Sequence, residues 1–258
     1  MMAYDHILVE RDDGFITITM NRPQRRNALS LRHMDELTQA FREAGESDAV
    51  GVILAGAGPV FSSGHDFADM AGADLALMRR LLSICRDLTA AMQAIPQPVI
   101  ARVHGMAMAA GCQLVASADF ALAAASAKFQ TPGGNGGWFC TTPMVSLSRS
   151  VGRKRALEML MTGDAIDAPT AAEWGLVNGV VPDEELETAT HDLLHRATRG
   201  SALSKGIGKQ AFYAQIDMDQ PKAYDYAVEV MASTSQTADA QEWMLAFMDK
   251  REPKFINR

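Results

Sequence analysis

Two short runs in this 258-residue chain carry the residue types that could steer charge: Phe61-Ser62-Ser63-Gly64-His65-Asp66-Phe67, and His104 to Leu114, which reads HGMAMAAGCQL. In the second, an apolar stretch beginning at Val99 passes through Gly105 into small residues and then a helix-like segment, the pattern of strand, tight turn and helix start. Backbone N–H groups at Ala109, Ala110 and Gly111 then stand without carbonyl partners at the positive end of a helix. Such a turn can hold a developing negative charge. The same small residues would also suit a helix packed closely on a sheet. The first run is a turn after a strand too, so the two could each aim one peptide N–H into a shared crevice.

Other chemistries are poorly served. The glycine run Gly133 to Gly137 has no GKS or GKT ending and does not fit GxGxxG, and there is no GxSxG elbow or HExxH pair. Three scattered cysteines, Cys85, Cys112 and Cys140, make no disulfide framework or metal site and are expected as free thiols in a reducing compartment. His33, His191 and His195 fall on predicted helices among polar neighbours, where solvated faces are expected. No metal site is expected.

The elements that must position the two turns alternate between strand and helix. Ile7 to Val9 and Phe15 to Thr19 flank Asp12-Asp13-Gly14 as a hairpin. Ser30 caps a helix with Met34, Leu37 and Phe41 on one face. Val50 to Leu54 reads as a buried strand. A helix carrying Leu77, Leu81, Ile84, Leu88 and Met92 ends at Pro96. Further apolar runs follow at Asp119–Ala123 and Gly175–Val181, with a helix over Arg153–Met161, and then almost only helices over 183–198, 201–217, 221–234 and 236–250. This is an α/β core with a helical tail.

Composition narrows the classes. Hydrophobic residues at 48% and charged residues at 21% suit a soluble globular chain, and no apolar run suggests a membrane span. A formal charge of −7 without a long basic run argues against a nucleic-acid or anionic-membrane binder. The first residues lack the pattern of a secretory signal or transit peptide, so a cytoplasmic location is expected.

The pairing of the two turns resembles the enoyl-CoA hydratase/isomerase family, the crotonase superfamily. Further motifs run in order with it: Arg22-Pro23 with Arg25-Arg26-Asn27-Ala28-Leu29, Gly64-His65-Asp66, Ala110-Gly111-Cys112, Met161-Thr162-Gly163-Asp164, and Ala171 to Val177. Within that family the runs AKFQTPGGNGGWFCTTP and ARVHGMAMAAGCQLVASADFA are similar to the branch named for enoyl-CoA hydratase domain-containing protein 3.

The resemblance implies an α/β crotonase fold, a ClpP-like spiral of ββα units over 1–198, with a helical C-terminal oligomerisation subdomain over 199–258 building a homotrimer or a homohexamer. It implies a coenzyme A thioester as substrate or ligand, with no separately bound cofactor. The N–H groups of His65 and Ala110 would form an oxyanion hole. Arg25, Arg26, Ala28, Ser63, His65, Asp66, Phe67 and Ala68 would meet the coenzyme A moiety, with Phe247 and Lys250 contacting a neighbour's ligand. The positions of the two family hydratase glutamates hold Gln113 and Gly133, neither of which transfers a proton, so ordinary hydration is in doubt. A non-catalytic acyl-CoA-binding or regulatory role is the alternative. Asp66 is expected to fix its own loop rather than do chemistry. His65 has the intrinsic pKa of an acid or base, but the sequence leaves open which way its side chain faces.

Overall fold

The computed structural model describes residues 4–257. Residues 1–3 of the expected core and residue 258 of the expected tail lie outside the described residues. A hairpin of β1 (Ile7–Asp12) and β2 (Phe15–Met20) turns on Asp13-Gly14. Then come α1 (Leu31–Gly45), β3 (Gly51–Gly56), α2 (Leu75–Ala94), β4 (Val99–Val103), β5 (Met106–Met108) and α3 (Ala110–Ser117). The chain continues through β6 (Phe120–Ala124), β7 (Lys128–Gln130), α4 (Pro143–Ser150), α5 (Arg153–Thr162), β8 (Ile166–Asp167), α6 (Ala168–Trp174) and β9 (Gly179–Val181). It closes with α7 (Leu186–Thr198), α8 (Ala202–Gln215), α9 (Gln220–Thr234) and α10 (Ala238–Asp249). Among the described residues no helix is long and apolar enough to cross a membrane.

The main sheet has the order β1-β2-β3-β4-β6-β9, parallel except for the first pair. Its central strands are apolar on both faces because both are covered. Val52, Leu54, Val99 and Ala101 join the core under α1 and α2, while Phe15, Ile53, Ile100 and Leu122 face Leu186 and Leu194 of α7. A second sheet runs β5-β7-β8. Parallel bridges Leu29–His65 and Ser62–Ala107 continue the second layer towards the N-terminus. Each turn of the chain therefore lays a strand in the main sheet, a short segment in the second layer and then a helix, the spiral of ββα units that the sequence resemblance implies.

Two local readings change. Val99 to Gln113 is not a strand running straight into a helix: Gly105, at φ +57°, kinks the chain between β4 in the main sheet and β5 in the second. The apolar run 175–181 is strand only from Gly179; Gly175, at φ +86°, ends α6 in a left-handed cap.

Candidate functional site

The turn after β3 is built from the inside out. Asn27, fully buried, spans the loop before α1 and the turn: its Nδ2 donates to the carbonyls of Ala57 and Val60 at 2.8 and 2.9 Å, and its Oδ1 accepts from the Arg22 N–H at 2.9 Å. Ser62 Oγ donates to the Asn27 carbonyl at 2.9 Å. Gly64 has φ +87°, and a Cβ there would lie 2.9 Å from the Met108 carbonyl oxygen and 3.3 Å from the Ala110 nitrogen. Only glycine permits both that conformation and that approach.

On the facing segment, Gly111 meets the Ser62 carbonyl so closely that a Cβ would sit 2.5 Å from its oxygen. The positive φ falls on Ala109 (φ 48°, ψ −113°), a strained conformation for alanine costing on the order of 1–3 kcal/mol. Contrary to the sequence expectation of an unpartnered amide, its N–H donates to the Gln130 carbonyl at 2.8 Å, because β5 pairs with β7 and brings that carbonyl alongside, holding the strain in place. Ala110 is then the first residue of α3, with helical backbone.

The two amides of interest are left over from this construction. Leu29 uses the Gly64 carbonyl at 2.8 Å and the Asp66 N–H at 3.1 Å, so by strand alternation the His65 N–H points to the opposite side, towards the β5–α3 segment. Ala110 N–H belongs to the open first turn of α3. Neither donates to any acceptor among the described residues. Both residues line one crevice of about 500 Å³.

That crevice also takes Ser63, Phe67 and Gly133 from the expected site residues. Gln113, Arg25, Arg26, Ala28, Asp66 and Ala68 are not on its wall. Gln113 is buried on α3, where its Oε1 lies 3.9 Å from Cys85 Sγ of α2. The Ala28 carbonyl accepts from His33 Nδ1 at 3.1 Å and Arg22 Nη1 at 2.6 Å. Phe247, 76% exposed, and Lys250 lie at the end of α10 and do not line the crevice of their own chain. Leu82, Met108, Asn135, Trp138, Phe139 and Cys140 complete much of the wall, and none was singled out from the sequence. For Asn135 to Cys140 the only signal was the run GGNGGWFC between a strand and a helix, whereas Met108 lies within the second turn motif itself.

Carboxylates near the crevice are committed to structure. Asp66 accepts from the Ala68 N–H and from the guanidiniums of Arg22 and Arg25, all at 3.1 Å. Burial is the largest single influence on its pKa and pushes it up, but these three bonds together hold the carboxyl below its ordinary value. Asp69 accepts from the Leu31 N–H at 2.7 Å, tying the turn to the start of α1. The crevice wall itself has no Asp or Glu among the described residues.

Its titratable side chains are His65 and Cys140. Burial pushes the Cys140 thiol up and the His65 imidazole down to about 4, so both are neutral at pH 7. The His65 ring faces Trp138 with 6.5 Å between centroids. His33 departs from its expected solvated face: it is fully buried, and burial lowers it to about 4. Its Nδ1 is used by the Ala28 carbonyl, which the surrounding polar sequence does not reveal. His195 does face solvent and lies 2.7 Å from Asp13.

The spiral of ββα units defines a crotonase-fold protein, and the chain belongs to the enoyl-CoA hydratase/isomerase family, which matches over residues 10–258. It is 40% identical to enoyl-CoA hydratase domain-containing protein 3, mitochondrial, of Danio rerio over 252 residues, 97% of this chain and 87% of that one. The Homo sapiens counterpart is 40% identical over 245 residues, covering 93% and 80%. Among solved structures, an enoyl-CoA hydratase of Mycobacterium smegmatis superposes with a TM-score of 0.94 at 42% identity, covering 97% of this chain and 98% of that one. Human enoyl coenzyme A hydratase domain-containing protein 3 gives 0.93 at 38%, covering 97% and 100%.

These relatives correct the expected cytoplasmic location. Both vertebrate proteins are named as mitochondrial, and the amino-acid pattern of the first residues does not outweigh that.

Proposed function

We propose that this protein acts on acyl-coenzyme A thioesters, with the N–H groups of His65 and Ala110 forming an oxyanion hole for the thioester oxygen. The observation that carries the reading is that two unused amides on separate turns line one apolar crevice. Donors fixed in advance against a developing enolate stabilise the transition state more than the ground state. Ser63 and Phe67 would flank the thioester. Arg25, Arg26, Ala28, Asp66 and Ala68 would meet the coenzyme A moiety at the mouth, and Phe247 and Lys250 a neighbouring subunit's ligand in a homotrimer or homohexamer built through residues 199–258.

Classical hydration is not the proposed reaction. Gln113 cannot carry a proton, and Gly133 has no room for a side chain, since a Cβ there would lie 2.3 Å from the Trp138 carbonyl oxygen. The same observation supports the second reading, a non-catalytic acyl-CoA-binding or regulatory protein that keeps the pocket without the glutamates.

A thermal shift series with acetyl-, butyryl- and octanoyl-CoA tests the binding common to both readings, because a ligand held only by the folded state raises Tm. A rise with at least one thioester is expected; no rise with any of them refutes both. Turnover of crotonyl-CoA at the rate of a two-glutamate hydratase would refute the exclusion of hydration.

A further inference from the structure

The crevice contains a polar side chain that the oxyanion hole does not use. His65 lines the crevice; its Nδ1 makes no hydrogen bond and keeps accessible surface, while Nε2 is buried beneath it without a partner. We propose that the His65 imidazole is the proton-transfer group of this site, exchanging a proton with the carbon next to the thioester carbonyl. This rests on the acyl-thioester reading above.

The alternatives in reach are weaker. Asp66 and Asp69 are held by Arg22, Arg25 and backbone amides, and neither is on the wall. The Cys140 thiol is protonated, and its Sγ is packed where a Gly133 Cβ would come within 2.8 Å. Ser63, Thr141 and Thr142 have no basic form near neutrality. Neutral His65 has a free lone pair on one ring nitrogen at pH 7. Its own backbone N–H would hold the thioester oxygen, so the adjacent carbon of the acyl chain is brought beside the same residue's side chain.

The step balances without a co-reactant. Nδ1, the acceptor nitrogen of the neutral ring, takes the proton from the α-carbon, the C–H electron pair becomes the enolate double bond, and the carbonyl pair moves onto the oxygen held by the two amides. The imidazolium then returns a proton to carbon. In D₂O the ring proton exchanges with solvent, so deuterium enters the acyl chain.

The test follows loss of the α-proton NMR signal of whichever saturated acyl-CoA gives the largest thermal shift, incubated in D₂O with the full chain, H65A and H65Q. Both substitutions keep the backbone N–H; glutamine keeps size and hydrogen bonding but takes no proton. Expected are exchange by the wild type and a loss of about 10²–10⁴-fold in both variants while they still bind the ligand. Partial restoration of H65A by added imidazole is expected, which a purely structural role would not produce. The proposal is overturned if the wild type binds but does not exchange, if a binding-competent variant exchanges within threefold of wild type, or if neither variant binds. Absence of binding by the wild type would instead overturn the thioester reading itself, and this inference with it.

Discussion

At residue 133 the chain has excluded a side chain rather than merely lost one. The Trp138 carbonyl occupies the space a Cβ would need, and the Trp138 N–H donates back to the Gly133 carbonyl at 2.9 Å. Restoring both glutamates as Q113E/G133E is therefore expected to leave crotonyl-CoA hydration at wild-type level, whereas two well-placed proton-transfer groups would raise it by about 10²-fold or more. A steady-state hydration assay checks this. His33 and His65 give a pH prediction of definite sign. The unfolded chain takes up protons on histidine near pH 6.5 and the folded chain only near 4, so stability is complete above 6.5 and falls as pH drops towards 4. Each contributes on the order of 3 kcal/mol over that window at most, from about 1.36 kcal/mol per pKa unit. Denaturant titrations between pH 7 and 4 should show a shallower decline for H33N; an unchanged slope would contradict the buried-imidazole account. The missing glutamates at 113 and 133 were legible in the sequence, but the lack of room at 133 and the burial of His33 were not, because they depend on where the Trp138 and Ala28 carbonyls lie.

Among the elements, the four C-terminal helices were readable from apolar periodicity, and the hairpin from Asp13-Gly14. What escaped was β5, three residues long, whose identity comes from pairing with β7 rather than from any local pattern. Helix α4 escaped too. It begins at Pro143 and carries three serines, so its helicity depends on Leu147 reaching the core rather than on propensity. The two turns of the site were visible as glycine-marked motifs, but the crevice wall from Asn135 to Cys140 was not, since its position follows from tertiary packing. Helix α8 shows how the tail is fixed. Lys209 Nζ lies 2.7 Å from Asp119 Oδ2 and donates to the carbonyls of Met92 and Gln97 at 2.9 and 2.8 Å, while the Tyr213 hydroxyl donates to Asp119 Oδ1 at 2.8 Å. Removing one partner of a buried pair leaves the other uncompensated. K209A is expected to lose about 3–5 kcal/mol of unfolding free energy, read by denaturant titration. A loss below about 1 kcal/mol would mean that α8 is held by its apolar contacts alone.

For the molecule as a whole, α8 to α10 expose Phe212, Tyr224, Met231, Trp243, Phe247 and Met248, an apolar area unlike that of a solvated tail. Light scattering is expected to give a mass three or six times 27.9 kDa, and M231E to lower it; a monomeric wild type would contradict the assembly reading. The family and the spiral were legible from motifs spaced along the chain, whereas the cytoplasmic expectation failed because residue patterns near a chain start are weak evidence of compartment. In the proposed function, two amides from separate turns polarise one thioester carbonyl. Isotope-edited infrared spectroscopy of an acyl-CoA labelled with ¹³C at the thioester carbonyl reads this directly. The carbonyl stretch of the bound ligand should shift to lower frequency than in free solution, as two fixed hydrogen bonds weaken the C=O bond. A ligand shown to be bound whose stretch stays at the free position, or moves higher, would rule out the two-amide oxyanion hole.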